Sequence, residues 1–160
     1  MSIIVSDTSP LNLLVQVEQI HLLPILFGQV IIPSEVAREM AHTKAPAVVR
    51  AFIAALPAWV ITQAPAILLS FPDLDPGETA AISLAVELAV PLLIDERDGR
   101  AAAKLKGIEV IGAIGVLERA ADRGLIADLA AVHERIRSLP FRVADVILQD
   151  SLARHIASNV

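Results

Sequence analysis

Acidic side chains recur directly after short apolar runs of the sequence. Asp7 follows the run IIVS, and Asp95 follows the run PLLI. Carboxylates brought together repel one another strongly unless cations are bound, and hard divalent cations such as Mg²⁺ and Mn²⁺ take oxygen ligands of this kind. If the two runs are neighbouring strands, the pattern therefore predicts a magnesium or manganese site.

Three further acids lie in predicted helices. Glu35 and Glu39 are four residues apart in PSEVAREM, so one is expected to pair with Arg38 or solvent while the other turns inward. In DPGETAAISLA, Glu78 either faces the same site or only completes a capping box with Asp75. Both interpretations of Glu78 stay open at the level of sequence.

The acids at the predicted strand ends also have ordinary alternatives. Asp7 could hydrogen-bond the backbone of the next turn, and Asp95 could lie on a surface turn. Asp98 could pair with Arg97 or Arg100 in solvent instead of binding a metal. The joint placement of the acids carries the prediction, and no single acid decides it.

The elements that position these acids are predicted from apolar periodicity. Helical patterns alternate with short runs that are apolar throughout, which is typical of parallel strands covered on both faces. We therefore predict an α/β fold, a single domain over residues 1–160 with an open, mostly parallel sheet of four to five strands and helices on both faces. Ligands bind beyond the carboxyl ends of such strands. The predicted strands are Ile3–Ser6, Gln29–Ile32, Trp59–Thr62, Pro91–Ile94 and Glu109–Ile111.

The C-terminal part of the chain, from Gly112 onward, shows only helical patterns. Its apolar faces are too wide for solvated helices, so the helices from about residue 127 are expected to pack on the domain or on a partner. Gly107 and Gly124 are predicted helix ends.

Composition limits the classes of function. The 160 residues suffice for one core, and 55% hydrophobic residues with a mean hydropathy of +0.64 predict a large core plus an apolar face for a homodimer. The chain has no cysteine, which excludes thiolate chemistry. No membrane-spanning run and no basic N-terminal flank are present, so we expect a cytoplasmic protein without membrane contact.

The net charge of −5 gives no general attraction to nucleic acid, so phosphate contacts would need a local cluster of cations. Such a cluster follows Asp95, and its members are Arg97, Arg100, Lys104 and Lys106, of which the first three are the predicted substrate contacts. An ordinary solvated helix face is the alternative for these side chains. Aromatic residues make up 3% of the chain, so base stacking is poorly supplied.

Four stretches, in this order, resemble PIN-domain ribonucleases: VSDTSPL, VIIPSEVAREM, DPGETAAISLA and LLIDERDGRAAAKLKGIEVIGAIGVLERAADRGLI. That family includes the toxins of the VapBC type, and the chain is more similar to its DUF3368-like branch. The resemblance covers roughly residues 2 to 130, and its specificity comes from the ordered set of motifs.

The resemblance implies metal-assisted hydrolysis of RNA with Mg²⁺ or Mn²⁺ as cofactor, possible partnership with a small antitoxin, and Ser9 or Thr8 as a hydroxyl neighbour of the first acid at the substrate. It also implies that the metal is bound by Asp7, Glu78 and Asp95, while Glu39 holds a second ion or orients the water. Asp98 or Glu96 would share the metal role of the last acid. The four catalytic acids are Asp7, Glu39, Glu78 and Asp95.

Other functions start from similar acids. A haloacid-dehalogenase-type phosphatase would need a second Asp two residues after Asp7, where this chain has Ser9. A receiver domain would need a Lys after the last strand, where Gly112 and Ala113 follow. The remaining alternative is a catalytically inactive PIN fold that binds RNA or protein.

Overall fold

The computed structural model describes residues 2–140, 143 and 145–158. It contains a five-stranded sheet in which every strand pairing is parallel, with the strand order β3-β2-β1-β4-β5. The predicted α/β fold with an open parallel sheet is confirmed, and all five predicted strands form. Their bounds are β1 Ile3–Ser6, β2 Gln29–Pro33, β3 Val60–Gln63, β4 Leu92–Leu93 and β5 Val110–Ile111.

The helices connect and cover the strands. None of those in the described part of the chain is both long and apolar enough to cross a lipid bilayer. Their bounds are α1 Thr8–Gln16, α2 Leu22–Phe27, α3 Ser34–Ala41, α4 Ala47–Ala54, α5 Pro76–Leu88, α6 Arg97–Leu105, α7 Ala113–Asp122, α8 Leu129–Arg137 and α9 Asp145–Ser158.

Two apolar clusters cover the two faces of the sheet. Ile4 and Leu93 belong to the cluster that includes α1 to α4, α7 and α8, whereas Val5 and Leu92 belong to the cluster formed with α5 and α6. Successive side chains of a strand point to opposite faces, so a strand buried on both faces has to be apolar throughout. This explains why the strands show no alternation of polar and apolar residues.

The C-terminal helix α9 packs on α7 and α8 of the same chain. Leu148 is its buried apolar anchor, and Arg154 forms an ion pair of 2.7 Å with Glu118 of α7. Apolar side chains of α9 such as Ile147 remain exposed. The helix is therefore attached along one side only.

Helix ends in this chain use left-handed backbone conformations. Gly107 and Gly124 follow α6 and α7 with φ of +77° and +76°, which confirms the two predicted helix ends. Ala89 ends α5 in the same region, with φ 53° and ψ 48°. A residue with a Cβ atom is strained in this conformation, whereas glycine is not.

We therefore expect Ala89→Gly to raise the free energy of unfolding by roughly 0.5 to 1 kcal/mol, because it removes the left-handed strain at the end of α5. Ala101→Gly is the matched control, since Ala101 is exposed in the interior of α6. That change should lower the free energy of unfolding by about 1 kcal/mol. Urea unfolding of both variants measures the two effects, and the same sign for both would contradict the backbone strain assigned to Ala89.

Candidate active site

The carboxyl ends of β1 and β4 form the point where the strand order reverses. The chain proceeds from β1 to β2 and β3 on one side, whereas β4 and β5 lie on the other. The backbone N–H of Asp7 donates to the carbonyl of Leu93 at 2.9 Å, so the two strand ends are fixed to each other. Open parallel sheets bind ligands at such a reversal.

Asp7 is buried at this point, with 4% of its surface exposed. Burial raises the pKa of its carboxyl group to about 7, and the backbone N–H of Thr8 opposes that rise. The charges of Asp75, Glu78 and Glu39 raise the pKa further, in that order. Asp7 therefore lies among three other carboxyl groups, two of which were predicted site residues.

Glu39 is held towards Asp7 by the residue that follows Asp7 in sequence. The Thr8 hydroxyl donates a hydrogen bond of 2.9 Å to Oε2 of Glu39. Glu35, one turn earlier in α3, instead forms an ion pair of 2.9 Å with Arg38. The predicted division between the two glutamates is confirmed, with Glu39 turned towards the acids and Glu35 paired on the surface.

Glu78 has both of the roles that the sequence left open. It completes a capping box in which its N–H donates to Oδ1 of Asp75 at 2.8 Å. Its side chain is also buried, and burial followed by the charge of Asp75 raises its pKa to about 7. The charge of Glu96 adds to this rise. Capping thus fixes the carboxyl group of Glu78 near the other acids.

Gly77 lets the first turn of α5 come close to these acids. A Cβ atom on Gly77 would lie 2.8 Å from Oε2 of Glu39, 3.4 Å from Oδ1 of Asp75 and 3.6 Å from Oδ1 of Asp7. Three carboxylate oxygens from three separate elements therefore surround one small space. A larger side chain would displace at least the Glu39 carboxylate.

Asp95 lies in a different environment from Asp7. Its Oδ1 accepts a hydrogen bond of 2.8 Å from the N–H of Ala113, at the start of α7. The residue as a whole is exposed, but protein atoms around its carboxyl group raise the pKa, while the Ala113 N–H and the charge of Arg100 lower it. Arg100 also donates to the carbonyl of Ile94 at 2.9 Å.

Strand pleating gives a physical reason for this separation. Asp7 is two residues beyond Val5, which faces α5, whereas Asp95 is two residues beyond Leu93, which faces α1 and α7. Glu96 has the parity of Ile94, which faces α5 and α6, and its charge does reach Glu78. The charge of Glu96 therefore acts on the buried acids, while its carboxylate accepts a hydrogen bond of 2.6 Å from the N–H of Gly99 and caps α6.

The remaining predicted residues are at the surface, and all but Lys104, in the last turn of α6, lie near the same edge of the sheet. Asp98 is exposed and forms an ion pair of 3.5 Å with Arg97, the alternative considered for it, so its role as a metal ligand stays a prediction. Ser9, in the first turn of α1, lines a groove with Asp95 and Arg100. Arg97 and Lys104 are exposed on α6. Their contact with substrate stays a prediction.

The acids suit a hard divalent cation in their chemistry, because every donor is a carboxylate oxygen. Among residues 2–140, 143 and 145–158, however, no three His, Asp or Glu side chains are already arranged as the ligands of one metal ion. The space beside Gly77 is the place where the oxygens of Asp7, Glu39 and Asp75 come closest to a common point. Binding a cation there would require these carboxylate oxygens to move into a common coordination geometry.

Comparison with known protein families is consistent with a group of acids at this edge of the sheet. Residues 3–157 match the DUF3368 family, whose description is PIN domain. The chain belongs to the PIN-domain family. PIN domains are in general nucleases that use divalent cations. No curated protein and no solved structure matches the chain.

Sequence analysis of this PIN domain missed some residues of the site. Asp75 was considered only as a helix cap, although its charge acts on both Asp7 and Glu78. The signal was its position three residues before Glu78, since both members of a capping box lie at one helix end. Gly77, between them, carried no signal of its own, because the need for a missing side chain depends on where Glu39 lies.

The raised pKa of Asp7 predicts how stability depends on pH in the absence of metal. A folded-state pKa of about 7 lies above the ordinary value of 3.8, so the folded state keeps a proton that the unfolded state releases. Stability from this group is present at acid pH and is lost as pH rises through about 7. We expect Asp7→Asn to raise the free energy of unfolding at pH 8 by about 1 to 3 kcal/mol, and by much less at pH 4.

Urea unfolding in a chelating buffer between pH 4 and pH 8 measures this difference. Asp73→Asn is the matched control, because Asp73 is an exposed acid in the loop before α5. Its curve should run parallel to that of the wild type. A constant difference between the wild type and Asp7→Asn across the pH range would contradict the predicted burial of the Asp7 charge.

Proposed function

We propose that this PIN domain is a ribonuclease that hydrolyses RNA phosphodiester bonds with Mg²⁺ or Mn²⁺. The observation that supports the proposal most is the burial of Asp7 at the reversal of strand order, where the charges of Glu39, Asp75 and Glu78 all act on it. Such a repulsive cluster weakens the fold unless a cation neutralises it. A structural role alone would not need four acids there.

The proposed catalytic acids are Asp7, Glu39 and Glu78. The structure suggests two further acids of the same site, Asp75 and Glu96. Asp7 and Glu78 would hold the cation from the end of β1 and the start of α5. Glu39, oriented by Thr8, would hold a second ion or orient the attacking water. When bound, a divalent cation supplies a water of lowered pKa and neutralises charge on the leaving oxygen. No Ser or His nucleophile is then required.

Asp95 is proposed to act on the substrate side of this site. Its carboxylate lies beside Arg100, a candidate phosphate contact, and fixes the start of α7. The direct metal role predicted for Asp95 stays a prediction, since Glu96 is the residue whose charge reaches Glu78. The cations Arg97 and Lys104 of α6 are proposed to contact phosphates further along the RNA.

The first test compares two glutamates on one helix. We expect Glu39→Gln to lower kcat/KM for Mn²⁺-dependent cleavage of an oligoribonucleotide by at least about 100-fold, because the amide loses the negative charge. Glu35→Gln, one turn away and paired with Arg38, should stay within about threefold of the wild type. Equal activity of the two variants would exclude the assigned role of Glu39.

Isothermal calorimetry separates an active enzyme from the alternative, a PIN fold that only binds RNA or protein. That alternative is favoured by the absence of a ready-made metal group among the described residues. The wild type should bind Mn²⁺, and Asp7→Asn should bind it at least about tenfold more weakly. Equal binding by both proteins would leave the catalytic proposal without support.

A second pair of variants tests whether Asp95 or Glu96 is the acid beyond β4 that binds the metal. We expect Glu96→Gln to weaken Mn²⁺ binding by about tenfold, because Glu96 lies on the side of Glu78. Asp95→Asn should change Mn²⁺ binding by less than about threefold but change KM for RNA, since the charge of Asp95 acts on Arg100. The reverse order of the two effects on Mn²⁺ binding would return the metal role to Asp95.

The proposed partners are an RNA substrate and a second copy of the chain. Exposed apolar side chains support the homodimer, and those with the largest exposure are Ile67, Leu68 and Leu105. A small antitoxin and a cytoplasmic location stay predictions that rest on the sequence and its family.

A further inference from the structure

A groove of about 700 Å³ runs between α1, α7 and α9 and begins at the proposed active site. Ser9 and Asp95 are at the end where the strands stop, and the groove continues along α7. Its walls include the apolar side chains of Leu13, Ile114 and Ile147. The volume lies within the range of roughly 300 to 1,000 Å³ that is typical of small-molecule sites.

The charges along the groove balance one another. Asp95 and Arg100 line it together, and Glu118 forms its ion pair of 2.7 Å with Arg154. Two acids and two cations give no net attraction for an anion such as a free phosphate. Apolar walls with a few fixed polar groups instead suit a neutral group that has a polar edge.

The spacing of these groups follows from α7. Ala113 begins the helix next to Asp95, and Glu118 lies five residues further along it. At a rise of 1.5 Å per residue, about 7.5 Å separates the two positions along the helix axis. Arg100 can therefore meet a phosphate at one end of the groove while the Glu118 and Arg154 pair meets a polar edge at the other. One nucleotide extends over a distance of this order.

We propose that the groove between α1, α7 and α9 binds the base of the RNA nucleotide that adjoins the cleaved bond. The inference rests on the ribonuclease function proposed above. The position of the groove at the carboxyl ends of β1 and β4 indicates the occupant, because two of its lining residues, Ser9 and Asp95, lie two residues beyond Asp7 and Leu93. The aliphatic walls hold the faces of the base, while Glu118 and Arg154 present an acceptor and donors to its edge.

Two isoleucines of α9 provide a matched test by kinetics. Ile147 lines the groove with 47% of its surface exposed, and Ile156 is 56% exposed without lining it. We expect Ile147→Asp to raise KM for an oligoribonucleotide about tenfold with kcat within about twofold, because the change removes an apolar contact with the base and places a negative charge near its phosphate. Ile156→Asp should leave both constants unchanged. Equal effects of the two variants would overturn the proposal.

Binding can be measured separately from cleavage. On the Asp7→Asn background, AMP, CMP, GMP and UMP at millimolar concentration should shift the methyl resonances of Ile114 and Ile147, and adding Ile147→Asp should abolish the shift of the Ile114 resonance. Absence of shifts would overturn the proposal even if the wild type cleaves RNA. Shifts in a protein that cleaves no RNA would support the groove and reject the nuclease function alone.

A second copy of the chain is the competing occupant. Light scattering of the wild type, Ile147→Asp and Ile156→Asp tests it, because a dimer formed through the groove would dissociate only in the Ile147 variant. Dissociation of that variant alone, together with absent nucleotide shifts, would assign the groove to self-association and overturn the proposal.

Discussion

The burial of the Asp7 carboxyl group is the constraint on which the arrangement of acids at the carboxyl edge of the sheet depends. It is buried at the end of the central strand, and the charges of Asp75, Glu78 and Glu39 oppose its ionisation. Only a rigid support keeps such a group in place, and β1 provides it, with Ile4 and Val5 fully buried on opposite faces of the sheet. The group of acids thus lowers the stability of the fold locally, and the burial of the two apolar clusters compensates for this loss.

Helix α5 shows how one local motif can serve both folding and chemistry. The capping box satisfies backbone groups at the helix start, and the same bonds fix the carboxyl groups of Asp75 and Glu78. Gly77 then allows this turn to come close to the carboxylate of Glu39, which belongs to α3. Three elements that are distant in sequence converge because each ends or begins at the carboxyl edge of the sheet.

The sequence predicted most of this arrangement, for reasons that can be stated. All five strands were recognisable as short apolar runs, which reflects burial on both faces for β2 and β4, whereas Ile61 and Thr62 of the edge strand β3 are exposed. The spacing of Glu35 and Glu39 predicted that one of them would pair with Arg38 or solvent, and the structure shows that it is Glu35. The position of the last acid was not predictable in the same way. β4 pairs over only Leu92 and Leu93, so the sequence does not show that the pleat continues as far as Asp95 and Glu96, and the hydrogen bond from the N–H of Ala113 fixes Asp95 on the side of α7. The position of this acid is therefore determined by tertiary contacts.

The pleat that separates Asp95 from Asp7 also divides the edge into two surfaces of different chemistry. On the side of α5 the acids exclude a phosphate unless a cation is present, since their charges act on one another. On the side of α7 the charges balance, and apolar walls extend away from Asp95. Because the net charge of −5 provides no general attraction for RNA, binding energy has to come from contacts at this edge. In the proposed ribonuclease, a nucleotide that spans both surfaces would rest its base on the apolar walls and place its phosphate at the acids once a cation is bound.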